Sequence, residues 1–370
     1  MINLLQWYSF LSFGGNMNKV AIITIYDNKN YGNRLQNCAV HKILTDLDYE
    51  VDTIIPRPDI LRRLKLWLVL YLRKKYKNDK IENLKNNNFS DFNNRNLILK
   101  KINRSILIKG KANKRYKYAF LGGDQIWGPY KQEYRIKGFS FGSCFLPEKR
   151  ITMCPSFGNC DLKKEDEEFY KKYLMELRHI SVREQSGADI VKRLTGRDAT
   201  VVIDPVMALT VDEWKKVFDV KKFSDSDYAL CCFLGGTDEN IEKIISKIAV
   251  DKDVFRLYDK NSPIYSEGPD GFLSLIYNAK IICTDSFHCA AFSLLFKKPL
   301  IVFDRLNIEK SQNTRLLNLL SKFRLTDRHI DNIDIENCYQ CDYSEFDLIL
   351  ENERKIFYDF LKLSLKEDNK

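Results

Sequence analysis

The stretch Thr284-Asp285-Ser286-Phe287-His288 carries one of only four histidines in the chain. It follows an apolar run, Ile281 to Cys283, that reads as a strand. Histidine changes charge near neutral pH and can give and take a proton there. By itself, His288 fits catalysis and a satisfied structural role equally well. Three other loops have the composition a site needs. In Asn30-Tyr31-Gly32-Asn33-Arg34, Gly32 permits unusual backbone angles and the helix start behind it offers free N–H groups to an anion. The plainer reading is a turn with a cap. In Gly122-Gly123-Asp124-Gln125-Ile126-Trp127, paired glycines let a ligand approach the backbone. Asp124 is placed to orient a sugar hydroxyl and Trp127 to stack on a sugar ring; alternatively, Asp124 caps a helix. In Ser181-Val182-Arg183-Glu184, an arginine at a strand end suits bidentate binding of carboxylate or phosphate. Its rival is a surface Arg183–Glu184 pair, which would stabilise little.

The elements that must position these loops alternate between strand and helix. Lys19 to Ile25 is a β-branched run. Arg34 to Leu47 has Leu35, Ala39, Ile43 and Leu47 on one helical face, and Glu50 to Ile55 is strand-like again. This βαβ unit dictates a parallel sheet with a right-handed crossover. Further strands end at Leu121 and Cys154 and lie within "HISVRE" and "ATVVIDPV". A second series starts with "DYALCCFLGG" and continues through "ENIEKIISKIAV", "DVFRLY", "GFLSLIYNA", "KIICTD", "CAAFSLLF" and "PLIVFD". The class is α/β, with two Rossmann-like lobes whose parallel sheets face a cleft. The expected boundaries are residues 17–208 for the first lobe, 209–345 for the second, and 346–370 for a terminal helix folding back on the first. In such sheets ligands bind beyond the carboxyl ends of strands, where all four loops fall.

The chain has 370 residues, enough for two cores, and its 44% hydrophobic content is that of a folded protein. A net charge of +10 favours anionic partners. No zinc-finger, helix-turn-helix or RNP pattern accompanies that charge, so nucleic acid is not expected. Cys38, Cys231, Cys232 and Cys283 sit in apolar runs and read as reduced thiols of a cytoplasmic protein. Cys338-Tyr-Gln-Cys341 is half a zinc motif with no partner pair, and no metal is expected. Residues 1–16 lack a basic n-region and a cleavage site. They read as a loose extension, or Met17 as the natural start. Residues 61–80, with Leu66 to Leu72 between basic clusters, read either as an interfacial helix on the inner membrane face or as an ordinary helix with basic ends.

In order and spacing, "TIYDNKNYGNRLQ", "LGGDQIW", "PSFGN", "ISVREQSGA", "VIDPV" and "TDSFHCAAFSLLFKKPLI" resemble the polysaccharide pyruvyl transferase family over residues 19–305. The resemblance implies a two-lobed fold similar to GT-B glycosyltransferases. It also implies transfer of pyruvate from phosphoenolpyruvate onto two sugar hydroxyls, as a ketal in a cell-surface or capsular polysaccharide, with no cofactor besides that donor. The acceptor would be a saccharide, free or lipid-linked. The family's better-known members carry arginine, an aliphatic residue and histidine where this chain has Ser286, Phe287 and His288. The chain thus resembles a branch with SFH there. Arg305 and Lys298 are the nearby cations that could replace the missing charge.

Taken together, the loop readings and the resemblance give the following expected roles. His288, Arg183 and Asp285 form the catalytic set, with His288 protonating the donor's methylene carbon. Arg183, Thr284, Ser286, His288 and Arg305 bind the donor. Asn30, Gly32, Asn33, Gly123, Asp124, Trp127 and Glu184 bind the acceptor. Asp124, Glu184 and Asp285 are alternative acceptors of the hydroxyl proton. Two rivals stand beside this reading. One is a glycosyltransferase using a nucleotide sugar, with Glu267 on the ribose. The other is a non-catalytic glycan-binding relative, since fold does not fix function.

Overall fold

The computed structural model describes residues 18–27, 29–57, 64, 79–128, 136–158, 162–306 and 314–366. The expectations for residues 1–16, and for 61–80 apart from Leu64, Asp79 and Lys80, fall outside these residues.

Strand β1 (Lys19–Ile23) leads into helix α1 (Tyr31–Asp46), which starts where the Asn30 side chain accepts from the Asn33 N–H. Then come β2 (Glu50–Arg57), α2 (Lys80–Asn96) with Asp79 as its cap, and β3 (Leu99–Asn103). Strands β4 (Ala119–Gly122) and β5 (Arg150–Met153) complete a five-stranded sheet of order β3-β2-β1-β4-β5. Every pairing in it is parallel. After α3 (Lys164–Met175), a small parallel pair, β6 (Ser181–Val182) and β7 (Thr200–Val201), flanks α4 (Gln185–Thr195). Side chains fasten this pair to β5. The Ser181 N–H donates to Thr152 Oγ1 at 2.7 Å, and the Cys154 N–H to Ser181 Oγ at 3.2 Å. Proline opens the short helix α5 (Pro205–Ala208), capped by Asp204.

The second lobe runs β8 (Tyr228–Cys232), α6 (Glu239–Ile248), β9 (Asp253–Arg256), α7 (Pro269–Asn278), β10 (Ile281–Thr284), α8 (Phe287–Leu295) and β11 (Leu300–Val302). Its sheet is also parallel, in the order β11-β10-β8-β9. Two helices follow, α9 (Thr314–Lys322) and the long α10 (Phe346–Lys366). From α10, Arg354 donates to the carbonyls of Met207 (2.9 Å) and Leu209 (2.6 Å), joining the C-terminal helix to α5. No helix among the described residues is long and apolar enough to cross a membrane.

One buried apolar cluster runs through both lobes. At the seam, Tyr31 of α1 stacks on Phe272 of α7 (4.9 Å, 25°), and Trp214 meets Phe292 edge-on at 5.0 Å. Each such ring contributes about 1.5–3 kcal/mol by leaving water. On one flank the seam is stitched by polar contacts. Tyr31 Oη donates to the Glu267 carbonyl (2.9 Å), Asn88 Nδ2 to the Ser266 carbonyl (2.7 Å), and Tyr265 Oη to Glu82 (2.8 Å). Arg95 pairs with Asp270 at 2.7 Å and Lys260 with Asp79 at 2.9 Å. Among these groups the Lys85 ammonium lies against the rings of Tyr265 (4.1 Å), Tyr31 (5.2 Å) and Tyr258 (5.5 Å). Burial lowers its pKa to about 8.

Candidate active site

Arg183 follows β6 and is buried rather than on the surface. Its Nη1 donates to Asp204 Oδ2 at 2.9 Å, its Nε lies 3.6 Å from Glu184 Oε2, and its guanidinium covers the Phe287 ring at 4.6 Å. Burial alone would favour the neutral form, but Asp204 and Glu184 outweigh it and raise the pKa above the ordinary value. Asp204 sits where β7 turns into α5, and its Oδ1 accepts from the Val206 N–H at 3.1 Å. Burial would raise its carboxyl, but His288 and Arg183 together hold it well below the usual carboxylate range.

His288 comes from the other lobe, in the first turn of α8, and is 8% exposed. Its Nε2 lies 3.7 Å from Asp204 Oδ2, an ion-pair distance too long for a hydrogen bond, and that nitrogen has no hydrogen-bond partner. The other edge of the ring rests on the start of α1. A Cβ added at Gly32 would stand 2.0 Å from His288 Nδ1. The Gly32 of the NYGN loop therefore admits the histidine ring, which occupies the space an incoming anion would need. Asp204 thus stands between a guanidinium of its own lobe and an imidazole of the other.

Several sequence-predicted residues are already committed elsewhere. Asp285 is 1% exposed, and its two oxygens accept from the N–H groups of Leu234 (2.6 Å) and Gly235 (2.8 Å). Burial raises its carboxyl against the pull of those bonds and of Arg305. It pins the loop after β8 and is all but closed off from solvent. Thr284 donates to the Cys232 carbonyl (2.7 Å) and accepts from the Ser286 N–H (2.9 Å), which leaves its hydroxyl nothing for a donor. Ser286 occupies the cap of α8, and its side chain makes no capping bond. Arg305 turns toward Asp285, with Nη2 on its carbonyl (3.2 Å) and Nε 3.5 Å from Oδ2. Lys298 lies before β11, at the opposite end of the strand, over the Tyr277 ring.

On the acceptor side, Trp127 is wholly buried. It stacks on Phe141 (5.0 Å, 11°) and donates to the Ser140 carbonyl, so it has no face for a sugar. Asn33 is buried, and its Oδ1 receives the Asp27 N–H and Arg34. Asn30 is exposed and spends its side-chain oxygen on capping α1. Gly123 takes φ +68° with the Gln36 amide against it, and Asp124 is also left-handed at φ 54°. The Asp124 carbonyl accepts from the Ser156 N–H, so this turn braces the PSFGN loop. Glu184 Oε1 binds the same loop, accepting from Ser156 Oγ (2.8 Å) and the Phe157 N–H (2.9 Å). Its Oε2 stays without a hydrogen bond beside Arg183.

The structure therefore gathers Arg183, Glu184 and His288 of the expected residues, and adds Asp204, Phe287 and Arg315. A cavity of about 490 Å³ opens here, with Arg183, Glu184, Asp204, Phe287 and Arg315 in its wall. Asp204 was visible only as the carboxylate of "VIDPV", where Asp-Pro reads as a cap. Arg315 carries no local sequence signal. Glu267 pairs with Lys221 at 3.2 Å. Cys338 and Cys341 are free thiols. Among the described residues, Asp304, His329 and Asp331 are a cluster with metal-ligand spacing.

Fold and site define a two-lobed parallel α/β protein whose histidine is carried by one lobe and flanked by a carboxylate and a glycine of the other. The sequence model of the family described as polysaccharide pyruvyl transferase matches residues 30–307. The chain belongs to that family, and at that level it is a transferase. No curated protein matches it. Among solved structures it is similar to a putative UDP-N-acetylglucosamine 2-epimerase from Listeria monocytogenes, at 12% identity and TM-score 0.48, covering 96% of this chain and 99% of that one. It is also similar to the UDP-GlcNAc 2-epimerase from Neisseria meningitidis, at 12% identity and TM-score 0.42, covering 93% and 100%. A third is a glycosyltransferase from Rickettsia africae, at 10% identity and TM-score 0.40, covering 94% and 100%.

Proposed function

We propose that this chain transfers pyruvate from phosphoenolpyruvate onto a pair of sugar hydroxyls, forming a ketal on a cell-surface or capsular polysaccharide. The observation that carries the reading is Asp204, which lies between Arg183 and His288 across the lobe seam. His288, as imidazolium, protonates the methylene carbon of the donor. The carbon beside it becomes electron-poor and takes a sugar hydroxyl. The C–O bond to phosphate then breaks, and the second hydroxyl closes the ketal. Of the two hydroxyl protons, one restores His288 and one leaves with phosphate. Arg183 and Asp204 hold charge near the reacting centre, and the walls of the cleft orient the two hydroxyls. The donor is the only cofactor-like molecule required, and the acceptor is a saccharide, free or lipid-linked. A cytoplasmic site, with residues 61–80 against the inner membrane face, rests on composition alone.

The test is phosphate release from phosphoenolpyruvate across a panel of saccharides, with product mass measured. His288→Ala, with its unfolding midpoint unchanged, should lose about 10²-fold or more of turnover, the usual weight of a positioned acid. Wild-type turnover in that variant would sink the reading. Release of a nucleoside diphosphate from a sugar nucleotide would favour the glycosyltransferase rival.

A further inference from the structure

Arg315 lies in the first turn of α9 and shares the cavity wall with Arg183. It is half-buried, and its Nε is fully enclosed with no hydrogen-bond partner. With the Gln125 amide oxygen turned toward it, Nη2 donates to that oxygen at 2.7 Å and Nη1 shares it. No described carboxylate comes within ion-pair distance, although its charge feels Asp124 and Glu184. Arg183 likewise leaves Nη2 and Nε without hydrogen bonds, since Glu184 at 3.6 Å from Nε is too far for one. Guanidinium donors left unmade in an enclosed site cost stability, and two like charges beside one cavity add to that cost. Burial, reinforced by Arg183, depresses the Arg315 pKa to about 10. A protein gains by such an arrangement when an anion fills the cavity.

We propose that Arg315 and Arg183 form an anion subsite that holds the phosphate group of the donor, with Arg315 providing from α9 the positive charge that Ser286 does not provide from α8. The donor's identity rests on the pyruvyl-transfer reading; the subsite itself does not. Phosphate has oxygens enough to meet guanidinium N–H groups arriving from two elements, and an arginine fork matches it.

The experiment titrates the full chain calorimetrically with inorganic phosphate, pyruvate and phosphoenolpyruvate. Arg315→Met should weaken phosphate and phosphoenolpyruvate binding about tenfold or more, the weight of one charge-assisted hydrogen bond. Arg315→Lys should fall between, keeping charge but not fork geometry. Lys243→Met, on an exposed face of α6, should leave both affinities unchanged. Without ligand, Arg315→Met should melt at or above the wild-type temperature, because an enclosed charge has been removed; an arginine with only a structural role would lower it. Equal phosphate affinity in wild type and Arg315→Met overturns the proposal, as does wild-type protein that binds neither phosphate nor phosphoenolpyruvate. Should Arg315→Met not fold, unchanged affinity in Arg315→Lys together with a lowered melting point overturns it too. Binding of pyruvate but not phosphate overturns the assignment to phosphate. Arg315-dependent phosphate binding without ketal product leaves the subsite standing and removes the pyruvyl-transfer reading.

Discussion

The two flanks of the lobe seam use polar groups in opposite ways. Along α2, hydrogen bonds and ion pairs cross from one lobe to the other in succession: Asp79 with Lys260, Glu82 with Tyr265, Asn88 with Ser266, Arg95 with Asp270. Around Arg183 and Arg315, donors are enclosed but unspent, and a cavity stands where their partners would be. One flank holds the lobes in register. The other is left wanting a ligand. Polar groups cost stability when buried without partners, so the unspent donors of Arg183 and Arg315 beside a cavity are the motive for the anion subsite proposed above.

The largest test of this contrast is Asp204→Asn, which strips the ligand-binding flank of its internal counter-charge. Urea unfolding at neutral pH should lose about 3 kcal/mol, the low end for breaking a buried pair, because Glu184 remains near Arg183. The variant should also flatten the acid limb of stability. A carboxyl held below its ordinary range contributes stability above about pH 4 that drains away as pH falls. Unchanged stability would mean that the protein does not balance charge on this flank. Next comes Gly32→Ala. Elsewhere in a helix, replacing glycine with alanine gains about 0.5–1 kcal/mol. Here the added carbon meets His288 at 2.0 Å, so a net loss of about 1–3 kcal/mol and reduced turnover are expected. A stabilised, fully active variant would detach the histidine from the first lobe.

The smallest effect belongs to the stitched flank. Lys85 titrates near pH 8 when folded and near about 10.4 when unfolded. Between those values the unfolded chain binds more protons at this side chain, so Lys85 adds a component of stability that rises with pH, against the opposite component from buried thiols such as Cys38 and Cys154, which burial raises. The gain is at most about 1.4 kcal/mol per pH unit. Lys85→Met should lack that slope between pH 7.5 and 9.5, below the range where Tyr31, Tyr258 and Tyr265, all raised by burial, interfere. Parallel slopes in the two proteins would mean that the aromatic cage does not depress the lysine.

Most strands and helices were legible because β-branched runs and amphipathic helices alternate. Strand β3, LKKIN, was not, since its lysines break the apolar signal; it lies at the sheet edge, where lysine is a common device against unwanted pairing. Arg183 and His288 were legible from their places at strand ends. Asp285 and Thr284 obeyed the same rule, yet their side chains serve neighbouring backbone, which position alone does not reveal. Trp127 followed a glycine turn as a sugar platform would, but Phe141 and Phe157 cover it from elsewhere in the chain. Arg315 reaches the site from an element beyond every motif, and only tertiary packing brings it there.

The apolar cluster shared by both lobes opposes their separation. Swinging the lobes apart would carry Tyr31 away from Phe272 and put both rings in water, along with their neighbours. Several such rings together outweigh what a small ligand can return on binding. A wide opening of the lobes is therefore costly, and the standing cavity is open to solvent without it.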